Sequence, residues 1–192
     1  MQKRSKMDDR FSNPWRTLKT SVVYDNPWIR VREDDVIRPD GAPGIYGVVH
    51  YKNKAIGVLP IDEEGYTYLV GQYRYTLDVY SWEIPEGGGA EGEEPIEAAM
   101  RELREETGLE ARTWRPLGRA HLSNSVSDEE AIIFLATDLV QGDAEPEGTE
   151  KLELMRVKFD EALRMVLDGE ITDSISVIAI LRYSLHHLRF EI

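Results

Sequence analysis

The chain has no cysteine. That excludes a disulfide framework and thiolate-held zinc or iron–sulfur centres, and it fits a reducing compartment, so a cytoplasmic location is expected. No apolar run approaches the ~18 residues of a membrane helix; 131–136 and 177–181 have the length of core segments. The first ten residues are polar and lack the apolar stretch of a secretory signal. Positive charge is also scarce: 23 Lys and Arg stand against 36 Asp and Glu, a net charge of −13. A nucleic acid would meet few counter-charges here, so neither DNA nor RNA is expected as a partner, and neither is a membrane. Acidity alone is a solubility property. An acidic enzyme acting on a small phosphate ester, however, needs cations to neutralise both parties.

What is present is a globular composition, 41% apolar and 31% charged over 192 residues, enough for one domain with an appendage. Residues 1–16 read as a flexible polar end. Alternating or β-branched runs predict strands at 21–24, 28–38, 45–51, 55–60, 66–74 and 80–85. Asn26-Pro27, Pro39-Asp40-Gly41 and 62–65 supply turn chemistry between them. A glycine loop at 87–89 then leads to a helix over Pro95–Thr107, which opens on proline and stops at Gly108. Ile96, Ala99, Met100 and Leu103 form its expected apolar stripe. Strands at 114–122, 131–138 and 151–158 and helices at 160–167 and 174–188 complete the reading. This order implies an α+β fold, a mixed central sheet sandwiched between helices (α/β/α). The expected division is 17–52 as a small β subdomain and 53–192 as the main domain.

Chemistry becomes readable between Gly87 and Leu109. Glu102, Glu105 and Glu106 fall at i, i+3 and i+4 on the predicted helix, one carboxylate face about 120° from the stripe. Such a cluster is either a solvated face or a site where a cation resolves the repulsion, and grouped hard oxygens suit Mg²⁺ or Mn²⁺. Arg101, four residues from both Glu97 and Glu105, is placed to hold the cluster. The glycines allow a backbone to approach anionic groups closely.

The full run is Gly87, five residues, Glu93, seven residues, then Arg101-Glu102-Leu103-Arg104-Glu105-Glu106-Thr107-Gly108-Leu109. It resembles the Nudix box at every specified position, a match expected by accident on the order of once in a million such chains. Gln72-Tyr73-Arg74-Tyr75 and Trp82-Glu83-Ile84-Pro85-Glu86-Gly87 resemble the segments before the box in ADP-ribose and nucleotide-sugar pyrophosphatases. The stretch 123–129 resembles that group's following loop, with Asn124 where the group has proline.

The resemblance implies hydrolysis of nucleoside diphosphate sugars, ADP-ribose-like compounds included, to a nucleoside monophosphate and a sugar phosphate. It implies a cation, Mg²⁺ or Mn²⁺, bound by Glu102 and Glu106 with the Glu86 carbonyl, and Glu105 as a further ligand or water-positioning group. Gly87, Glu93, Arg101 and Gly108 would shape the box. Arg74 would clamp a phosphate, unless it is an ordinary strand arginine. Glu83 and Glu129 would be contacts on the metal or substrate side. The general base would be Glu150, with Glu147 second. The resemblance also implies a homodimer through the N-terminal strands, with Tyr24, Trp28 or Tyr46 against the nucleobase. Two rivals stay open: a Nudix enzyme for dinucleoside polyphosphates or damaged triphosphates, and an inactive nucleotide-sensing module.

Overall fold

The computed structural model describes residues 12–142 and 152–188; Glu147 and Glu150 lie outside them. The described chain divides into two compact units, one holding the residues up to Lys52 together with Ser123–Asp128, the other holding the rest.

In the first unit, β1 (Arg16–Asp25), β2 (Ile29–Ile37) and β3 (Pro43–Tyr51) form an antiparallel meander. Asn26 makes the first turn by accepting the Trp28 and Ile29 amides on its side-chain oxygen, at 2.9 and 2.7 Å. β1 begins at Arg16, five residues earlier than the alternation predicts. The preceding Trp15 packs edge-on against Tyr46, at 5.2 Å between ring centres. The segment Ser123–Asp128 is tied to β3: the Val49 amide donates to the Val126 carbonyl at 2.8 Å, and the Tyr51 amide to Asp128 at 3.0 Å.

The second unit is built on a four-stranded mixed sheet, in the order β7 (Glu86–Gly89), β4 (Lys54–Pro60), β9 (Glu130–Gln141) and β8 (Leu109–His121). β4 and β9 run parallel, from Ala55 opposite Ala131 to Pro60 opposite Ala136. A second sheet places β5 (Tyr66–Arg74) between β6 (Val79–Glu83) and β10 (Glu153–Lys158). The period of two along β4 sorts its side chains onto two faces. Ile56 and Val58 join Ala98, Ala99 and Leu103 of α1 (Pro95–Thr107). Leu59 joins Ala162 of α2 (Phe159–Leu167) and Ile175, Ala179 and Ile180 of α3 (Ser174–Leu188). This is the helix–sheet–helix sandwich that the element order implies. None of the helices in the described residues is long and apolar enough to cross a membrane.

Two details correct the sequence reading. Residues 87–89 belong to strand β7, antiparallel to β4, rather than to a free loop. The helix stripe is also rotated: Met100 is 46% exposed, whereas Ala98 is fully buried and Glu102 is only 9% exposed. At ~100° per residue, positions 98, 102, 106, 99 and 103 span one arc of roughly 140°. Glu102 therefore points inward from the buried face and not away from it.

Candidate active site

The boundaries of α1 are set locally. Pro95 starts it, and Gly108 ends it in the left-handed conformation (φ 70°), returning its amide to the Arg104 carbonyl at 2.9 Å. Thr107 adds a second stop by accepting the Leu109 amide at 3.1 Å. The chain passes directly into β8 at Leu109.

On the inner face, Glu102 lies against Gly87. A Cβ built on Gly87 would fall 2.2–2.3 Å from the Glu102 carboxylate atoms, so any side chain there would displace the carboxylate from this position. One turn on, Glu106 accepts the Glu86 amide at 2.9 Å. Arg101 spans the cluster, donating to Glu102 at 2.6 Å, Glu105 at 3.0 Å, the Gly88 carbonyl at 2.9 Å and both oxygens of Glu93 at 3.2 Å. The bonds to Glu93 above all hold the guanidinium charged beyond its ordinary range, and Arg101 in turn holds Glu93 below the usual carboxylate range. Glu93 also accepts the Ala90 amide at 3.0 Å, which closes the turn before the helix.

The segment entering β7 carries a second set of charges. Arg74 on β5 grips Glu83 with two nitrogens and reaches Glu86 at 2.6 Å. Glu83 is almost fully buried, and its hydrogen bond keeps Arg74 charged. Burial pushes the Glu86 carboxyl well up, and the nearby charges of Asp173 and Glu83 add to this against the opposing pull of Arg74. Glu86 Oε2 is buried with no hydrogen-bond partner. Burial and Asp173 raise Glu129 likewise.

The structure thus brings Glu83, Glu86, Gly87, Glu93, Arg101, Glu102, Glu105 and Glu106 into one neighbourhood, together with Arg74. The guanidinium of Arg74 is committed to carboxylates and retains partial exposure. In the first unit, Tyr24 and Trp28 are more than half exposed, while the Tyr46 hydroxyl donates to the Ser125 carbonyl at 2.7 Å. Asp173 is the residue that the sequence reading missed. It caps α3 through the Ser176 amide at 2.7 Å, and its position one residue before a helix beginning Ser-Ile-Ser is a recognisable cap signal.

Among the described residues, no three acidic or histidine side chains close into a metal shell; Arg101 supplies the positive charge at Glu102 and Glu105. The donor set nevertheless fits a hard divalent cation. It is all oxygen, one buried carboxylate oxygen has no partner, and the Glu102 carboxylate is cradled on a bare Cα.

Comparison with known proteins agrees with this geometry. Residues 51–175 match the NUDIX domain, and residues 15–49 match the nucleoside diphosphate sugar hydrolase N-terminal domain. An ADP-ribose pyrophosphatase of Mycobacterium tuberculosis is 32% identical over 170 residues, spanning 87% of this chain and 82% of that protein. One from Bacillus subtilis is 31% identical over 86% of this chain and 90% of its own length. A methanol dehydrogenase activator of Bacillus methanolicus is 32% identical over the same shares. The crystal structure of an ADP compounds hydrolase superposes with a TM-score of 0.82 at 22% identity, covering 92% of this chain and 95% of that one, a likeness of fold. With the box, the sandwich and these matches in agreement, the chain belongs to the Nudix hydrolase family.

Proposed function

We propose that the protein hydrolyses the pyrophosphate bond of nucleoside diphosphate sugars, ADP-ribose-like compounds included, with Mg²⁺ or Mn²⁺ as cofactor. The observation that carries this reading is the Glu102 carboxylate laid against Gly87 while Glu106 holds the Glu86 amide. The N-terminal match and the names of two relatives, ADP-ribose pyrophosphatases, support the substrate class.

Glu102 and Glu106 would hold the cation with the Glu86 carbonyl, and Glu105 would ligate further or orient water. A bound cation neutralises the diphosphate and makes water more acidic. Glu93 and Arg101 keep the carboxylates in place, Arg74, which grips Glu83 and Glu86, would clamp a phosphate, and Glu83 would be a contact on the metal or substrate side. Glu129 would contact the substrate. The general base is assigned to Glu150, with Glu147 second. Its carboxylate takes a proton as the water oxygen bonds to phosphorus, and the bridging P–O bond breaks to release the monophosphate. The second proposal concerns assembly: two copies pair through the first unit and offer Tyr24, Trp28 or Tyr46 to the base.

The test is a panel of nucleotide sugars, ADP-ribose and diadenosine polyphosphates with Mg²⁺. Turnover of the sugar compounds is expected, and loss of at least ~100-fold in kcat is expected in Glu106→Gln with the fold intact. Unchanged turnover in that variant would sink the assignment. Glu150→Gln should lower kcat about 100-fold with KM little changed. If Glu147→Gln does so instead, the base is Glu147.

A further inference from the structure

Ile84 and Pro85 lie between β6 and β7 and belong to neither. Backbone groups outside a ladder need partners elsewhere. The Pro85 carbonyl accepts the Val58 amide of β4 at 2.9 Å. The Ile84 amide donates to Ser176 Oγ at 2.9 Å, between two residues with no solvent exposure. Ser176 is itself fixed: its amide donates to Asp173 Oδ2 at 2.7 Å, and the Val177 amide donates to the Asp173 carbonyl at 3.0 Å. Beside it, Ile175 covers Gly57 so closely that a Cβ there would lie 2.5 Å from Ile175 Cγ2.

A buried hydroxyl without a partner is costly, and alanine would fill the same space without that risk. The hydroxyl of Ser176 makes sense through the amide it accepts. That amide sits immediately after Glu83 and two residues before Glu86, the two carboxylates gripped by Arg74. A shift of Ile84 would carry both carboxylates, and with them the Glu86 amide that Glu106 accepts.

We infer that Ser176, seated by Asp173, is a positioning residue for the hydrolytic site: the first turn of α3 sets the height of residues 83–87 above α1. This rests on the hydrolase reading above for its kinetic consequence, but not for its structural one.

The experiment compares wild type with Ser176→Ala, and with Ile180→Val as a control that trims the buried core of the same helix. Amide hydrogen exchange of 83–87, Tm, kcat and KM are read with saturating Mg²⁺. Ser176→Ala should speed exchange at Ile84 and lower kcat, each about tenfold or more, with KM within roughly threefold of wild type. Ile180→Val should lower Tm alone. Wild-type exchange at 83–87 in Ser176→Ala overturns the inference whether or not any substrate is turned over. So does a kcat loss no larger than that of Ile180→Val. A wild type inert on the whole panel, with the exchange effect intact, removes the hydrolase reading and leaves the positioning. If Ser176→Ala does not fold, Asp173→Ala should lower kcat and Asp173→Asn, which keeps a capping oxygen, should recover most of it. Equal kcat in those two variants and wild type overturns the inference.

Discussion

A methyl group on Gly87 would occupy the space of the Glu102 carboxylate, whereas on Gly88 its nearest neighbour would be Asn53 Nδ2, 3.2 Å away. The two glycines are neighbours in sequence and opposite in consequence. Gly87→Ala should cut kcat by about 100-fold or more, because the Glu102 carboxylate must leave the position it holds. Gly88→Ala should leave kcat within about threefold, since a flexible side chain can turn aside. Similar kcat in the two variants would show that the close approach is not what activity requires. Residue by residue, the box was legible because its side chains form a spaced pattern. The contact of Glu102 with Gly87 was not, because it depends on β7 lying alongside α1. The role of Ser176 is illegible for the same reason, since 92 residues separate it from its partner Ile84, whereas the cap at Asp173 is a local signal.

Among the elements, α1 and the turn before it are held by Arg101 and Glu93, and that contact has a pH dependence with a definite sign. The Glu93 carboxyl, ordinarily near 4.5, is held lower in the fold by its Arg101 hydrogen bond. The unfolded chain therefore binds the proton more readily, so this contribution to stability is present above about pH 4.5 and is lost as pH falls through the lowered value. Tm should consequently fall more steeply between about pH 5 and 3 in wild type than in Glu93→Gln, with the gap between them closing at the acid end. Parallel curves would exclude the contact as a source of acid sensitivity. The elements themselves were mostly legible, since caps, turns and periodicity are local. The misses have physical causes. Glycine is disfavoured in strands, so 87–89 looked like a loop, yet lack of side chains is what lets β7 lie beside Ile56 and Ala98. The α1 stripe was misplaced because Glu102, a charged residue, occupies the buried arc on which an apolar count cannot draw.

At the scale of the molecule, the exposed apolar residues of the first unit call for an explanation. Leu18, Val22, Val23, Tyr24, Trp28 and Ile45 are each 54–68% exposed in the single chain. Exposed apolar side chains in that number are what an association surface would need, as the pairing proposed above requires. If two copies pair there, sedimentation at micromolar concentration should give a dimer. Ile45→Asp with Val23→Asp should shift it to monomer and raise KM more than it lowers kcat, because the base contacts would be lost while the box stays intact. A monomeric wild type with full activity would remove the pairing.

The placement of Ser123–Asp128 with the first unit means that the molecule is threaded rather than strung. The chain leaves the second unit after Leu122, visits β3, and returns at Glu129. A shortened protein beginning at Asn53 would keep every residue of the box yet strip that visiting stretch of its hosts: the Val49 amide, the Tyr46 hydroxyl and His50 would all be gone. The excursion would become a tether with nothing to hold, and a protease should find it first. Separating the units cleanly therefore takes two cuts in the gene and a splice from 122 to 129.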